Sequence, residues 1–410
     1  AECYPVPEKP VEIKAAPTKL AARIGCDIDA ATMKAILENL DFTVEEKGED
    51  SWVVTVPTWR KDCDCSADLS EEVACMYGYD KIESKTPELI MARGGQAPIE
   101  DVKDMIRDTL TGIGLDEVMT YSFYNAQVFD NLGLPADDSR RKALQIINPI
   151  SDDFRTIRTT LTPCLLSTVA YNQARQSERT AIFEVGRVFI PKTLPLTDFP
   201  EEKMVLAIAM SGKRNPLSWN TAKDAIDFYD IKGALEEVMD SLQVKGLSYG
   251  PTKEVFLHPG KSCAISYEGK VIGFMGAIHP TVQDRFGLSA ETYVLEVEIA
   301  PFVKSAEQIP QFEHVPQFPS VSRDIAVVVK AGVSASDLEA EIRKEGGALL
   351  VDVRIFDVYT GKQVKSGYKS VAFNLTFQDV TRTLQDKDVD DVIKQIVANV
   401  QDKFGGMLRD

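Results

Sequence analysis

Residues 60–82 read Arg60-Lys-Asp-Cys-Asp-Cys-Ser-Ala-Asp-Leu-Ser-Glu-Glu-Val-Ala-Cys-Met-Tyr-Gly-Tyr-Asp-Lys-Ile82. The run predicts a loop that enters a helix, because Asp68 is a favourable N-cap and Glu71 follows three residues later, as in a capping box. Gly78 is the expected end of this helix. Its apolar residues recur at helical spacing and are Leu69, Val73 and Met76. We therefore expect a short helix with one buried face.

Four carboxylates crowd this stretch, and they are Asp62, Asp68, Glu71 and Glu72. One interpretation is that the acids near the helix start complement the helix dipole. The other is a magnesium-like site, since hard cations prefer clustered carboxylate oxygens. Acids are common in the first turn of helices, so spacing alone favours capping. The metal interpretation stays open at this point.

The overall composition is that of a packed globular protein of several domains. A chain of 410 residues with 44% hydrophobic residues is too long for one ordinary core, and two to four domains are expected. The net charge of −17 argues against a protein that coats nucleic acid. Residues 318–410 hold 13 lysines and arginines against 14 aspartates and glutamates, which leaves room there for a local RNA-binding face.

The seven cysteines are scattered and include no CxxC pair. Cys63 and Cys65 form a CxC with no histidine nearby in sequence, which argues against a zinc site. Reduced thiols in a cytoplasmic protein are the expected state. The longest apolar run, residues 204–210, is too short to span a bilayer, and no secretory signal is visible. The chain begins at Ala1, so a fragment or a processed chain is expected.

The order of helical and strand patterns predicts an α+β multidomain protein. Its expected parts are a linker (1–10), a small α/β domain (11–83), a linker (84–98), a largely antiparallel core (99–300), a linker (301–319) and a last domain (320–410). Within them, residues 23–27 are predicted as a strand and turn, and residues 117–124 as one strand. The last domain follows the order β-α-β-β-α-β, which is typical of ferredoxin-like folds.

In such a fold both helices cover one face of the sheet, and strand alternation sorts the side chains between that face and an open one. The residues predicted to face the helices are Ile325, Val327, Val329, Phe356, Val358, Val371, Phe373, Leu375 and Phe377. The residues predicted on the open face are Ala326, Asp357, Tyr359, Ser370, Ala372, Asn374 and Thr376. A tyrosine beside a carboxylate and a hydroxyl suits a splayed single-stranded base. An ordinary solvated face is the alternative. Five cations near this face would either contact RNA phosphates or remain solvated. They are Lys362, Lys365, Lys369, Arg382 and Arg409.

Several motifs resemble bacterial phenylalanine–tRNA ligase β subunits, in the order of that family. The motifs that resemble the family's B5 domain are Arg23-Ile-Gly, Ile36-Leu-Glu-Asn-Leu, Pro57-Thr-Trp-Arg-Lys-Asp and residues 68–82. The catalytic-like core is resembled by Tyr121-Ser-Phe, Asn148-Pro, Phe183-Glu-Val-Gly, Asp227-Phe-Tyr-Asp-Ile-Lys-Gly, His258-Pro-Gly and Gly273-Phe-Met-Gly-Ala-Ile-His-Pro. The ferredoxin-fold anticodon-binding domain is resembled by residues 318–329, Phe356-Asp-Val-Tyr, Arg382-Thr-Leu and Lys403-Phe-Gly-Gly-Met-Leu-Arg.

The resemblance implies a cytoplasmic (αβ)2 heterotetramer that uses ATP and magnesium to join phenylalanine to tRNA(Phe). It also implies that the α subunit binds ATP and that this chain has no catalytic residues. Consistently, His279-Pro is followed by Thr281-Val-Gln-Asp-Arg-Phe-Gly, without a Gly-rich phosphate-binding motif. Arg155, Arg158 and Arg187 are expected to serve the fold or an interface. His258 and His279, each before a proline, are expected to fix turns or to form hydrogen bonds in the core.

Site residues follow from the resemblance position by position. Asp62, Asp68, Glu71 and Glu72 match the family's magnesium site, which is shared with the α subunit. Ala326, Asp357, Tyr359, Ser370 and Arg409 match the positions used on the anticodon. No segment resembles the family's oligonucleotide-fold module or its editing domain, so a fragment is expected to lack editing. The rival hypotheses are a stand-alone magnesium-dependent enzyme and a scaffold that binds the α subunit but no RNA.

Overall fold

The structure, a computed structural model, describes residues 2–6, 9–86, 94–306, 309, 312, 314–361 and 364–409. Internal contacts divide the chain into two units, Ala1–Gly95 and Gln96–Asp410. Within the described ranges, no helix has the length and apolar character that crossing a membrane requires. Parts of the predicted linkers 1–10, 84–98 and 301–319, and the predicted phosphate contact Lys362, lie outside the described residues.

The first unit is a three-stranded sheet covered by helices. Its elements are β1 (Val11–Ala15), α1 (Pro17–Ile24), α2 (Ala30–Asn39), β2 (Thr43–Gly48), β3 (Ser51–Val56), α3 (Ser66–Tyr77) and a 3-10 turn (Tyr79–Lys81). The strands are antiparallel in the order β1-β3-β2. Leu20, Leu37 and Leu69, one from each helix, are buried in the same core as Trp52 and Val54 of the central strand.

The strand predicted at residues 23–27 is wrong. Arg23 and Ile24 form the last turn of α1, and Gly25 ends the helix in the left-handed region with φ of 77°. The Gly25 N–H donates to the carbonyl oxygen of Ala21 at 2.9 Å. Glycine adopts this conformation at little cost, so the helix ends there.

Helix α3 exists as predicted but begins earlier. Its N-cap is Cys65, and Asp68 lies inside the first turn, so the predicted N-cap is wrong. One carboxylate oxygen of Asp68 accepts the N–H of Asp64 (2.8 Å) and of Cys65 (2.9 Å). Asp68 therefore satisfies backbone donors at the helix start from within the helix. The helix still ends at Gly78, but Met76 is exposed instead of buried.

The second unit contains a large central sheet. The elements around it are α4 (Pro98–Gly112), β4 (Asp116–Glu117), β5 (Phe123–Tyr124), α5 (Gln127–Asn131), β6 (Thr156–Ile157), α6 (Thr162–Gln173), β7 (Arg179–Ile190), β8 (Glu201–Gly212), α7 (Phe228–Ser241), β9 (Ser248–Gly250), β10 (Leu257–Tyr267), β11 (Lys270–Ile278), α8 (Pro280–Phe286), β12 (Thr292–Glu298) and α9 (Val303–Ala306). Short 3-10 turns lie at Ser139–Arg141, Asp152–Phe154 and Ala300–Phe302. The strand order is β4-β7-β8-β12-β11-β10-β9.

This sheet is antiparallel apart from the parallel pair β4–β7, and helices cover both of its faces. Helices α4 and α7 bury one set of alternate strand residues, and α5, α6 and α8 bury the other set. The strand predicted at residues 117–124 is wrong. Its two ends are the separate strands β4 and β5, and β5 pairs with β6 in a small sheet of its own.

The C-terminal part of the second unit is ferredoxin-like, as predicted. Its elements are β13 (Val321–Lys330), α10 (Ala335–Gly346), a 3-10 turn (Gly347–Leu349), β14 (Leu350–Tyr359), β15 (Tyr368–Phe377), α11 (Asp386–Phe404) and β16 (Met407–Leu408). The antiparallel sheet has the order β14-β15-β13-β16. Both helices pack on one face, where Val371, Phe373, Leu375 and Phe377 are buried as predicted.

Strand β14 departs from simple alternation. Its register with β15 shifts between Ile355 and Asp357, so Phe356 has no partner and is 56% exposed. Val358 pairs with the buried Val371 but lies on the edge strand and is 52% exposed. The prediction that Phe356 faces the helices is therefore wrong, whereas Val358 lies on the helix side of the sheet opposite Val371 but is only half buried. The extra residue of a β-bulge is left outside the ladder, which explains the exposure of Phe356.

We expect Phe373→Ala to destabilise this ferredoxin-like part by about 3–5 kcal/mol, because it removes a fully buried ring. Phe356→Ala should change stability by less than about 0.5 kcal/mol, since the bulged ring is largely exposed. Native-state hydrogen exchange of the β13 and β15 amides measures both effects. Equal losses for the two variants would show that Phe356 packs in the core.

Candidate functional site

The open face of the ferredoxin-like sheet brings together the predicted RNA-binding residues. Asp357 pairs with Ala372 of β15, and Ala372 pairs with Ala326 of β13. On a neighbouring rung, Tyr359 pairs with Ser370. Directly paired residues of antiparallel strands point to the same face, so these side chains share the face opposite the helices.

Arg409 completes this group from the far edge of the sheet. It follows β16, and its backbone N–H donates to the carbonyl oxygen of Ala326 at 2.9 Å. Its guanidinium carbon lies 4.9 Å from the ring centroid of Tyr359, although β13 and β15 separate the two edge strands. The side chain therefore crosses the open face and forms a cation–π contact. Ser370, on the rung of Tyr359, is 3% exposed.

The neighbouring cations differ in the contacts that they already make within the chain. Arg382 forms ion pairs with Asp388 (2.8 Å) and Asp379 (3.5 Å). The ammonium group of Lys365 lies 5.9 Å from the Tyr368 ring centroid. Arg382 is thus held by acids of its own neighbourhood, which reduces its availability to a phosphate.

The acidic corner of the first unit is organised by Arg60, which the sequence argument did not single out. Its guanidinium forms ion pairs with Asp62 (2.7 Å) and Glu72 (2.5 Å). The Arg60 hydrogen bonds lower the pKa of Asp62 to about 2. The hydrogen bonds that Arg60 donates to Glu72 and Asp62 raise the pKa of Arg60 in turn. Burial raises the pKa of the adjacent Cys63 thiol to about 11, so this sulfur stays protonated at neutral pH.

The other two predicted metal ligands have different surroundings. Asp68 accepts the two backbone N–H groups at the start of α3, and these bonds lower its pKa. Glu71 lines a separate cavity of about 470 Å³ together with Arg23, Ser70 and Tyr79. Backbone N–H groups and the Arg60 guanidinium therefore satisfy three of the four acids, whereas the fourth, Glu71, faces the separate cavity.

Two groups of potential metal-binding atoms occur in this corner among the described residues. One consists of Asp62, Cys63 and Glu72, and the other of Asp64, Cys65 and Asp68, each with donor atoms within 4.8 Å of one another. Three of the four predicted acids, Asp62, Asp68 and Glu72, are divided between these groups, and Glu71 belongs to neither. Carboxylate oxygens suit magnesium, but in this arrangement the Arg60 guanidinium donates to both oxygens of Asp62 and both oxygens of Glu72.

The core arginines and histidines make internal contacts. Arg158 and Glu184 form a buried ion pair at 2.7 Å, and the Arg158 Nε–H donates to the Arg187 carbonyl oxygen at 2.8 Å. Glu184 of β7 pairs with Ala207 of β8, and Ala207 pairs in turn with Glu296 of β12. The remaining contacts are Arg155–Asp152, Arg187–Glu202, Gly260 N–H to His258 Nδ1 and Thr281 N–H to His279 Nδ1. Both histidines therefore accept backbone N–H groups in turns.

A second feature that the sequence alone does not indicate is an exposed apolar patch, which we call the 119–154 patch. It consists of Met119, Tyr121, Ile147, Ile150 and Phe154, all exposed. The rings of Tyr121 and Phe154 meet edge to face with centroids 5.2 Å apart. The Ile146 N–H donates to the Arg155 carbonyl oxygen at 2.8 Å, which holds the 146–151 loop beside them. An apolar cluster of this kind is typical of a protein-binding surface.

Comparison with known families gives a match over nearly the whole chain. The family described as "tRNA synthetase B5 domain" matches residues 13–79. "Phenylalanyl tRNA synthetase beta chain CLM domain" matches residues 82–299, and "Ferredoxin-fold anticodon binding domain" matches residues 316–409. The order of the three matches confirms the resemblance drawn from the sequence motifs.

Curated relatives carry the name phenylalanine–tRNA ligase beta subunit. The Clostridium acetobutylicum protein is 33% identical over 409 residues, which cover 100% of this chain and 50% of the relative. The Symbiobacterium thermophilum protein is 39% identical over 84% of this chain and 38% of its own length. The Vibrio cholerae protein is 37% identical over 98% of this chain and 50% of its own length.

The chain thus spans about half the length of the curated relatives it matches. The match to the CLM domain covers more than half of the 410 residues, and the matches on either side of it belong to tRNA synthetase domains. The chain therefore belongs to the phenylalanyl-tRNA synthetase beta-chain family.

Proposed function

We propose that this chain supports the ATP-dependent attachment of phenylalanine to tRNA(Phe) without performing the chemistry. In this proposal residues 99–300 hold the catalytic α subunit, which binds ATP, and residues 320–410 read the anticodon. Residues 11–83 form the B5 domain, and the working assembly is a cytoplasmic (αβ)2 heterotetramer. The observation that carries the proposal is the convergence of five side chains on the open face of the ferredoxin-like sheet. They are Ala326, Asp357, Tyr359, Ser370 and Arg409.

The chemistry of this face suits an unstacked base. The Tyr359 ring offers a stacking surface, and the exposed Asp357 carboxylate offers a hydrogen bond to a base edge. The Ser370 hydroxyl is buried on the same face and would bond to a base only after its neighbours move aside. Ala326 is small and leaves room beside the Asp357 rung. Arg409 brings a positive charge to a face that lies in an acidic chain, where it would attract a phosphate or stack on a base.

We expect Tyr359→Ala to weaken tRNA(Phe) binding by roughly 1–3 kcal/mol, since it removes a stacking ring. Tyr359→Phe should retain most of the affinity, because the ring stays and the hydroxyl is lost. Fluorescence anisotropy with labelled tRNA(Phe) measures both. A matched control is Tyr171→Ala, which removes a surface tyrosine of residues 99–300 whose ring also contacts an arginine, Arg175, at 3.3 Å. Unchanged binding by Tyr359→Ala would remove this residue from the anticodon site.

Contact with the α subunit is the second part of the proposal, and the 119–154 patch is its expected location. Five large apolar side chains lie exposed in neighbouring loops, where water contact is unfavourable. The loops are held by the β5–β6 pair and by the Ile146–Arg155 backbone bond, so the surface is preformed. A preformed apolar surface loses little conformational entropy on binding, which favours a stable subunit contact.

The double variant Ile147→Asp with Ile150→Asp should weaken α-subunit binding at least tenfold, because two charges would be buried in an apolar interface. Co-purification with an α subunit, followed by light scattering for stoichiometry, measures the effect. Leu217→Asp is the matched control, since Leu217 is an exposed apolar loop residue outside the patch. Full assembly of the double variant would place the α contact elsewhere.

Magnesium binding at the acidic corner is the third part. Asp62, Asp68, Glu71 and Glu72 would hold the ion together with the α subunit, where it would neutralise carboxylates at a subunit joint. The Arg60 guanidinium already neutralises Asp62 and Glu72, so the ion must compete with it. The competition explains why occupancy should depend on the partner.

Isothermal titration of magnesium into the chain alone should show no saturable site, whereas the complex with the α subunit should bind the ion. Arg60→Met should raise the magnesium affinity of the free chain, because it releases two carboxylates from their cation. Lys34→Met, which releases Glu46 from an ion pair at 2.6 Å in the same unit, is the control and should leave magnesium binding unchanged. Tight binding by the unmodified chain alone would contradict a shared joint.

A further inference from the structure

Gly361 lies directly against the Tyr359 ring. A Cβ atom built on Gly361 would lie 2.2 Å from the Tyr359 Oη, 2.3 Å from its Cζ and 2.8 Å from its Cε2. These distances are below the separation that non-bonded carbon and oxygen atoms tolerate. The hydroxyl end of the phenol therefore occupies the volume that a side chain at position 361 would fill.

The requirement for glycine at this position concerns space and not backbone conformation. The φ angle of Gly361 is outside the left-handed region, so its backbone would accept an L residue. The three atoms nearest to such a Cβ all belong to one side chain, that of Tyr359. Any larger residue at 361 would therefore act first on the position of that ring.

The ring is restrained from a second direction by Arg409. The guanidinium carbon lies 4.9 Å from the ring centroid, at a distance typical of a cation–π contact. Gly361 thus lies at the hydroxyl end of the ring, and Arg409 lies over its surface. Two contacts from different parts of the chain fix one half-buried side chain.

We propose that Gly361 is a positioning residue for the proposed anticodon site, which sets the orientation of Tyr359 for stacking on a single-stranded base. The inference rests on the proposed function and names a residue outside the five site positions. A fixed ring loses little rotamer freedom when a base stacks on it, so the close approach of Gly361 improves RNA affinity without touching RNA.

Gly361→Ala should displace the ring and leave the fold intact. A tyrosine side chain turns about two bonds, so it moves more easily than the backbone of the sheet. We expect this variant to weaken tRNA(Phe) binding by a factor close to that of Tyr359→Ala, which for a stacked base is roughly 5- to 150-fold. Gly332→Ala is the matched control, since a Cβ on Gly332 has no described atom within 4 Å, and it should bind as the unmodified chain does.

The double variant Tyr359→Ala with Gly361→Ala separates positioning from a general structural effect. With the ring removed, the added methyl group has nothing to displace, so the double variant should bind as Tyr359→Ala does. Additive losses would overturn the proposal, because they would show that Gly361 acts on binding by another route. A loss in Tyr359→Ala together with full binding by Gly361→Ala would also overturn it, while leaving the proposed anticodon site intact.

A measurement without RNA keeps the two ideas distinct. The ring signals of Tyr359 in the free chain, identified by their loss in Tyr359→Phe, should shift in Gly361→Ala and stay in place in Gly332→Ala. Unmoved signals would overturn the positioning role whatever the RNA results are. Shifted signals with tRNA binding unaffected by Tyr359→Ala would support positioning of the ring and contradict its role in anticodon binding.

Discussion

The register of β14 shifts by one residue between Ile355 and Asp357, and this bulge determines what the open face carries. Val353 and Ile355, before it, belong to the core under the helices. Asp357 and Tyr359, after it, lie on the opposite face. In an unbroken strand these four residues, spaced by two, would share one face. The core would then lose two apolar side chains, or the open face would lose its tyrosine and carboxylate. The bulge keeps the two apolar side chains in the core and the tyrosine and carboxylate on the open face, and it leaves Phe356 exposed.

The sequence predicts the ferredoxin-like fold because most of its strands alternate without interruption. Phe373 and Leu375 of β15 are both fully buried, as alternation requires. The bulge escaped prediction because Phe356 is apolar and fits a core pattern as well as a bulge. In the core, residues 117–124 alternate like a strand, yet Met119 and Tyr121 are exposed on a connecting segment. Alternation cannot distinguish a side chain that faces a sheet core from one that faces a possible partner.

The acidic corner shows a different limit of sequence reasoning. Clustered carboxylates predict a strong local field, but the sequence does not indicate which donors meet them. Arg60 takes Asp62 and Glu72, and the backbone at the start of α3 takes Asp68. Each of these three acids thereby has a favourable partner without a metal, so an ion must offer more than those donors do. The capping and metal interpretations of Asp68 therefore compete for the same lone pairs, and a partner subunit would decide between them.

The central sheet differs from the ferredoxin-like sheet because helices cover both of its faces, which bears on the proposed place of RNA recognition. Glu184 and Glu296 flank Ala207 on one rung, on the face that α6 covers. Glu184 is paired with Arg158, and Glu296 accepts hydrogen bonds from the first residues of α6. Burial raises the pKa of Glu296, and hydrogen bonds from Thr160 and Thr162 oppose the rise. Opening this face would remove α6 from its carboxylate partner and would break apolar contacts along three strands. A sheet closed on both faces is rigid and presents its loops, which suits a scaffold for a partner subunit. Within the described residues, no helix covers the other face of the ferredoxin-like sheet, so in the proposed function a base would stack there without any rearrangement of the core.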